Sequence, residues 1–403
     1  MILIKNGKIV VNNQLVNKDI LIENNLIKSI DNNINIDGLD LQILDATDCL
    51  VMPGAVDVHV HLREPGFTKK ETVKTGTLSS AKGGVTSIMS MPNLNPCPHD
   101  LENFNIQMEI IKKDAVVNVY PFASITINEE DKELAKIDEV ASVAYGLSDD
   151  GRGVNSLDLL EKAMKLAKKY NLTIASHAED NYYKYSREGE YVAVLREIEL
   201  AKKIGCKYHF CHMSVKESFD AIKKAQDEGY TNITCEVAPH HLVLNKEMIK
   251  DANYKMNPPL RDESDRLATI EALLNGTACM IASDHAPHTE EEKSQEYDKC
   301  PNGIIGLETM IPIIYTNFVK TGLISYERFL DILVYNPIKV FNLPQRDLKE
   351  NMIADIAIID IENKHQYTKD EILSKGKNSP FIGNSYYGFT RYTLVNGEIV
   401  YKK

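Results

Sequence analysis

The chain has 403 residues, 43% of them hydrophobic, with 46 basic against 58 acidic side chains and a net charge of −12. That length holds one large α/β barrel and a smaller module, and the acidic surplus argues against nucleic acid as a bulk partner. No apolar run approaches a membrane span and the first residues read as a strand and turn, not a leader. The seven cysteines are an odd number without a Cys-x-x-Cys pair, which suits the reduced thiols of a cytoplasm better than a disulfide framework.

In chain order, residues 1–52 carry short strand signals at 2–4, 8–11, 19–23, 26–30 and 41–44, separated by the turn formers Asn6-Gly7, Asn12-Asn13 and Asn24-Asn25. So small a sheet buries little by itself. Its missing half is expected at the far end, within 344–403, where strands at 354–359, 392–395 and 398–401 surround an Asn396-Gly397 hairpin turn. The two ends are therefore expected to form one composite β-sandwich module, with residues 53–343 inserted between them.

Inside that insert, apolar β-rich runs recur at 55–60, 85–89, 116–122, 143–147, 172–175, 208–211, 233–237 and 279–282. Helical patterns fill most gaps, for instance at 71–82, 156–170, 191–204 and 216–228. Strand and helix alternating eight times predict a (β/α)8 barrel, whose chemistry lies at the C-terminal ends of its strands.

Those ends carry the ligating residues. Val56, Val58, Val60 and Leu62 alternate with Asp57, His59, His61 and Arg63, so both imidazoles and the guanidinium face one side. Two imidazoles at i and i+2 can grip one metal ion, and an arginine beyond them suits an anion. Later strands lead into Met91-Pro92-Asn93, Ser148-Asp149-Asp150-Gly151, Ser176-His177-Ala178-Glu179, Cys211-His212 and Ser283-Asp284-His285-Ala286-Pro287-His288. His59, His61, His177, His212 and Asp284 are expected to project into one space, with nitrogen and oxygen donors that suit Zn²⁺. Asp149 and Asp150 compete for one further place, since alternation sends only one inward. His99, His209 and His365 read as core or surface residues, Cys211 and Cys235 as core, and Glu290-Glu291-Glu292-Lys293 as a solvated loop or lid.

Together these stretches resemble the dihydroorotases of the amidohydrolase superfamily, in their long bacterial and archaeal form. The resemblance rests on Asp57-Val58-His59-Val60-His61-Leu62-Arg63-Glu64-Pro65-Gly66, Met91-Pro92-Asn93, Asp149-Asp150-Gly151, His177-Ala178-Glu179, Asn257-Pro258-Pro259-Leu260-Arg261, Asp284-His285-Ala286-Pro287-His288 and Gly303-Ile304-Ile305-Gly306-Leu307-Glu308-Thr309. It covers nearly the whole chain. It implies reversible hydrolysis of dihydroorotate to carbamoyl aspartate in pyrimidine synthesis. By the same likeness, one or two zinc ions would sit on His59, His61 and Asp284 and on His177 and His212, with Asp150 bridging where many relatives place a carboxylated lysine. Asp284 would also be the proton acceptor.

Arg63, Asn93 and His288 are the substrate-carboxylate contacts that the resemblance implies. Asn257 and the backbone around Pro301-Asn302-Gly303 would face the ring amide. His240 and His241 are assigned to a supporting shell. The likeness further implies a homodimer and an association with aspartate transcarbamoylase. Hydantoinases and allantoinases resemble the chain in fold but usually carry the bridging lysine and lack the arginine at position 63.

Overall fold

The two ends of the chain meet in one sheet. In the computed structural model, which describes residues 1–35, 38 and 40–403, the strands run Glu398–Lys402, Phe389–Val395, Ile356–Asp360, Cys49–Pro53, Ile2–Val11, Gln14–Glu23 and Leu26–Asp31, and Gln42–Asp45 pairs alongside Ile2–Val11. The seam is the antiparallel pair of Cys49–Pro53 and Ile356–Asp360, with Met52 opposite Ala357 and Leu50 opposite Ile359. The period of two divides the seam between two cores. Cys49, Val51, Ile356 and Ile358 enter a small cluster with Ile4, Ile20, Ile22 and Ile27. Leu50, Met52, Ala357 and Ile359 face the other way, into the main core. The module is thereby packed on the barrel rather than tethered to it.

Asn396-Gly397 forms the expected hairpin, with φ of 50° and 77°. Asn6-Gly7 is not a turn. One strand, Ile2–Val11, runs straight through it with a register shift between Ile4 and Gly7. Asn6 takes a φ of 62° and its N–H donates to Asp19 Oδ1 at 3.0 Å, which makes the pair a bulge. A Cβ on Gly7 would collide with Val51.

The insert is a parallel barrel of β1 (Ala55–Val60), β2 (Val85–Ser90), β3 (Asn118–Pro121), β4 (Leu147–Ser148), β5 (Thr173–Ser176), β6 (Lys207–Phe210), β7 (Ile233–Val237) and β8 (Ala278–Ile281). β3 continues past Phe122 as Ala123–Ser124, which pairs with β4. Phe122 N–H still donates to Ser90 of β2, while Ala123 N–H donates to Gly146, so the chain changes neighbours at that step. A parallel bridge of Val60 with His285, and His61 N–H donating to His285 O at 2.9 Å, close the ring.

β4 is two residues long, not the run 143–147, because Val143 belongs to a turn that donates back to Val140 O at 3.0 Å. Helices fill Val73–Lys82, Leu157–Tyr170, Arg187–Ile204 and Lys216–Asp227. The third begins about one turn earlier than its apolar pattern, because the Ser186 side chain accepts from Gly189 N–H and caps it there.

Candidate active site

The C-terminal ends of the barrel strands bring five imidazole and carboxylate side chains, and a sixth from β4, to one buried point. At the end of β1, Asp57 Oδ1 accepts from the N–H of His59 at 3.2 Å and of Ser283 at 3.1 Å, which locks this strand end to that of β8. Arg63, His212 and Asp284 all take positive φ (60°, 36° and 48°), so the chain turns sharply where it presents them.

Asp150 Oδ1 is faced by His59 Nε2 at 3.2 Å, His177 Nδ1 at 3.6 Å and His212 Nε2 at 3.6 Å. His61 Nε2 lies 3.4 Å from Asp150 Oδ2 and 3.1 Å from Asp284 Oδ1. His59 Nε2 and Asp150 Oδ1 are buried yet have no hydrogen-bond partner among the described residues. Such orphans are costly unless another ligand completes them. Tetrahedral bonds of about 2.0–2.1 Å place neighbouring donors about 3.3 Å apart, and the spacing here matches. The donors therefore fit metal ions, in two groups that share Asp150: His59 and His61 on one side, His177 and His212 on the other.

Charge follows the same logic. Burial works to raise the Asp150 carboxyl, but the close approach of the His59, His177 and His212 imidazoles holds it well below the usual carboxylate range. Asp284 is likewise held low against burial, through His61 and the neighbouring imidazoles. Asp149 turns away, accepting from the N–H of Ile125 at 2.7 Å and of Thr126 at 3.1 Å. The ambiguity between the two aspartates ends with Asp150 inward.

Above the cluster opens a cavity of about 220 Å³. Arg63, Asn93, Asn257, His288 and Gly303 line it, together with Asn302 of the expected 301–303 stretch and Tyr185, which sequence reasoning did not single out. Pro301 is not part of this lining; its carbonyl accepts from Lys293 Nζ at 3.0 Å, and Asn302 takes its place on the wall. Arg63 Nε is buried without a partner among the described residues, a donor left for an anion.

Asn93 has protein partners as well. Its Oδ1 accepts from His61 Nδ1 at 2.9 Å, which turns Nε2 of that ring toward Asp284 and Asp150, where it could ligate a metal. Asn257 Nδ2 lies 3.1 Å from His177 Nε2. His288 Nε2 donates to Asn302 O at 2.8 Å, and burial together with the charges of Arg63 and Lys70 pushes its pKa down to about 3, so the ring is neutral.

Other residues carry more than the sequence suggested. Glu236 of β7 accepts from His59 Nδ1 at 3.0 Å through Oε1 and from His209 Nε2 at 3.1 Å through Oε2. His209 therefore braces a residue that braces His59, and is more than core filling. Cys211 joins His59 and Glu236 in one buried group, but burial pushes its thiol up, away from the thiolate a metal needs. His241 donates to Pro258 O at 3.0 Å, a supporting contact as expected. In the acidic run, Glu290 and Glu291 are exposed but Lys293 is buried. The signal for Glu236 was legible: an acid inside an otherwise apolar strand needs a buried partner.

A closed β/α barrel with buried imidazoles and carboxylates converging at its strand ends defines a metal-dependent amidohydrolase. Over its full length the chain is 42% identical to the dihydroorotase of Fusobacterium nucleatum, with 99% of this chain and 98% of that one covered, and 43% identical to the dihydroorotase of Staphylococcus aureus, with 100% and 99% covered. The chain belongs to the dihydroorotase family. Residues 48–187 also match the family model described as dihydro-orotase-like. Among solved structures, the L-hydantoinase from Arthrobacter aurescens superposes with a TM-score of 0.89 at 25% identity, covering 100% of this chain and 96% of that one. The D-hydantoinase from a Bacillus sp. AR9 does so with a TM-score of 0.87 at 25% identity, covering 100% and 95%.

Proposed function

We infer that the chain catalyses the reaction of its family, the reversible hydrolysis of (S)-dihydroorotate to N-carbamoyl-L-aspartate in pyrimidine synthesis. Full-length identity to dihydroorotases carries the family. Within the site, the carrying observation is Arg63, a guanidinium with an orphaned Nε on the cavity wall beside the donor cluster. A fork of that shape matches the two oxygens of the substrate carboxylate.

His59, His61 and Asp284 are proposed to hold one Zn²⁺, and His177 and His212 a second, with Asp150 between them. Bound there, zinc supplies Lewis acidity that lowers the pKa of water and polarises the amide carbonyl. The residues do the rest. Arg63, with Asn93 and His288 at the same wall, anchors the carboxylate and so fixes the ring. Asn257 and the backbone at Gly303 face the ring amide. Asp284 takes a proton from the attacking water as its oxygen bonds to the carbonyl carbon, then returns it to the ring nitrogen as the C–N bond breaks. Run backwards, the same transfers close the ring.

The hydantoinase likeness in fold supports a second cyclic-amide substrate class. Against it stand Arg63 and the aspartate at position 150. The test is turnover of dihydroorotate, hydantoin and allantoin by the purified enzyme, with zinc content measured and Asp284→Ala beside it. Dihydroorotate should be strongly preferred, and the variant should keep part of its zinc while losing nearly all turnover. Preference for either other ring would remove the assignment.

The family resemblance also supports a homodimer and association with aspartate transcarbamoylase. A cytoplasmic location is supported by seven free cysteines and by the absence, among the described residues, of a helix long and apolar enough to cross a membrane.

A further inference from the structure

The helix Glu290–Lys293 follows the loop that leaves β8, and its last residue points inward. Lys293 is only 9% exposed, although its neighbours Glu290 and Glu291 face solvent. Burying an ammonium costs free energy unless its donors are met. Here Nζ donates to three backbone carbonyls: Pro301 at 3.0 Å, Gly303 at 3.1 Å and Lys255 at 3.3 Å. Among the described residues, no carboxylate is bonded to it.

The segments it ties are the ones that shape the cavity. Gly303 and Asn302 form part of its wall, and Lys255 lies two residues before Asn257 on another part. Gly303 N–H donates in turn to Lys255 O at 3.0 Å. Asn378 supplies a second clasp, with Nδ2 donating to Gly303 O at 3.0 Å and Oδ1 accepting from His288 N–H at 3.0 Å. Among the described residues, only Lys293 joins the β8 loop, the 253–257 loop and the 301–303 turn through a single atom.

We propose that Lys293 is a positioning residue for the substrate, its ammonium clamping the 301–303 turn and the loop before Asn257 into the wall that receives the ring. This rests on reading the cavity as a dihydroorotate site. Its consequence is a dependence of substrate affinity on the charge of one amine. Burial, with Lys255 nearby, lowers the Lys293 pKa to about 8 against the pull of Cys300, Asp251 and Glu292. The other titratable groups around it are Glu290 on its own helix, His288 on the preceding loop, and Lys369 and Lys377 from the C-terminal segment. His288 is already neutral throughout this range, with a pKa pushed to about 3. Lys369 is paired with Glu290. Below pH 8 the clamp is charged and holds three carbonyls; above it, the neutral amine has one donor fewer and no charge to offer.

The experiment is KM and kcat for dihydroorotate hydrolysis between pH 6.5 and 9.5, for the holoenzyme and for Lys293→Met. In the unmodified enzyme KM should climb above about pH 8. In Lys293→Met it should be raised about tenfold at pH 7 and lack that alkaline climb, with kcat within about twofold. Lys293→Gln, which keeps two donors without charge, guards against misfolding of the methionine variant and should also lack the climb. Equal KM values at pH 7 would overturn the proposal, as would an alkaline climb that both variants retain. Absence of dihydroorotate turnover in the unmodified enzyme would instead overturn the catalytic reading, and this one with it.

Discussion

Nδ1 of His59 and Oε1 of Glu236 lie 3.0 Å apart, both fully buried, while Nε2 of the same ring faces Asp150 and Asp284 at 3.2 and 3.6 Å. The carboxylate fixes which nitrogen carries the proton and turns the other toward the donor cluster. Burial works to raise the Glu236 pKa, but hydrogen bonds from His209 and His59 bring it down to about 2, so the acceptor is charged at any working pH. Glu236→Gln keeps the shape but weakens the acceptor. Zinc affinity, read by competition with a chelator, should fall about 10- to 100-fold, with the fold unchanged by circular dichroism. Wild-type affinity in this variant would show that His59 is oriented by packing alone.

How much of this was legible depends on whether a residue's role leaves a periodic trace. His59 and His61 did, because they ride the alternation of β1, and β1 and β7 occupy the apolar runs that marked them. Asp149 and Asp150 did not, because β4 has only two residues and no period by which to choose a face. The decision is made by Ile125 and Thr126, whose backbone N–H groups claim Asp149 from another strand end. Lys293 was hidden for a different reason. Three adjacent glutamates mark a solvated surface, and nothing local says that the fourth side chain finds three carbonyls from distant loops.

Asp355 joins the terminal module to the barrel floor. Its Oδ2 accepts from Asn118 Nδ2 at 2.8 Å at the start of β3 and is paired with the buried Arg346, while Oδ1 accepts from Asn396 N–H at 2.7 Å in the hairpin. Asp355→Ala leaves the Arg346 charge buried and unpaired, which should cost about 3–5 kcal/mol. A lowered urea midpoint, with kcat and KM near wild type in the absence of urea, is the expected result. An unchanged midpoint would mean that the apolar seam alone holds the two parts together.

Gly303 sits at a φ of 131°, and a Cβ there would come within 2.8 Å of both Cβ and O of Ala286. Gly303→Ala must therefore push the cavity wall away from the β8 loop and strain the backbone by about 1–3 kcal/mol. Dihydroorotate KM should rise more than kcat falls, since the donor cluster beneath is untouched. A variant with wild-type KM would remove this wall from the substrate contacts.

Arg63 is the residue proposed to separate a carboxylate-bearing ring from hydantoin. It follows His61 by two residues, takes a φ of 60° and has a buried Nε without a partner among the described residues, a donor that suits an incoming anion. Asp284 and Asp150 favour its charge against burial, which works to lower its pKa. Truncating a buried partner of an anion typically costs 2–5 kcal/mol, and Arg63→Ala should accordingly raise KM for dihydroorotate about 30-fold or more. Arg63→Lys restores a point charge but not the fork, so it should recover only part of that loss. Hydantoin carries no carboxylate, and whatever slow turnover of it the enzyme shows should be insensitive to both changes. An equal loss on both substrates would mean that Arg63 supports the metal cluster rather than gripping the substrate.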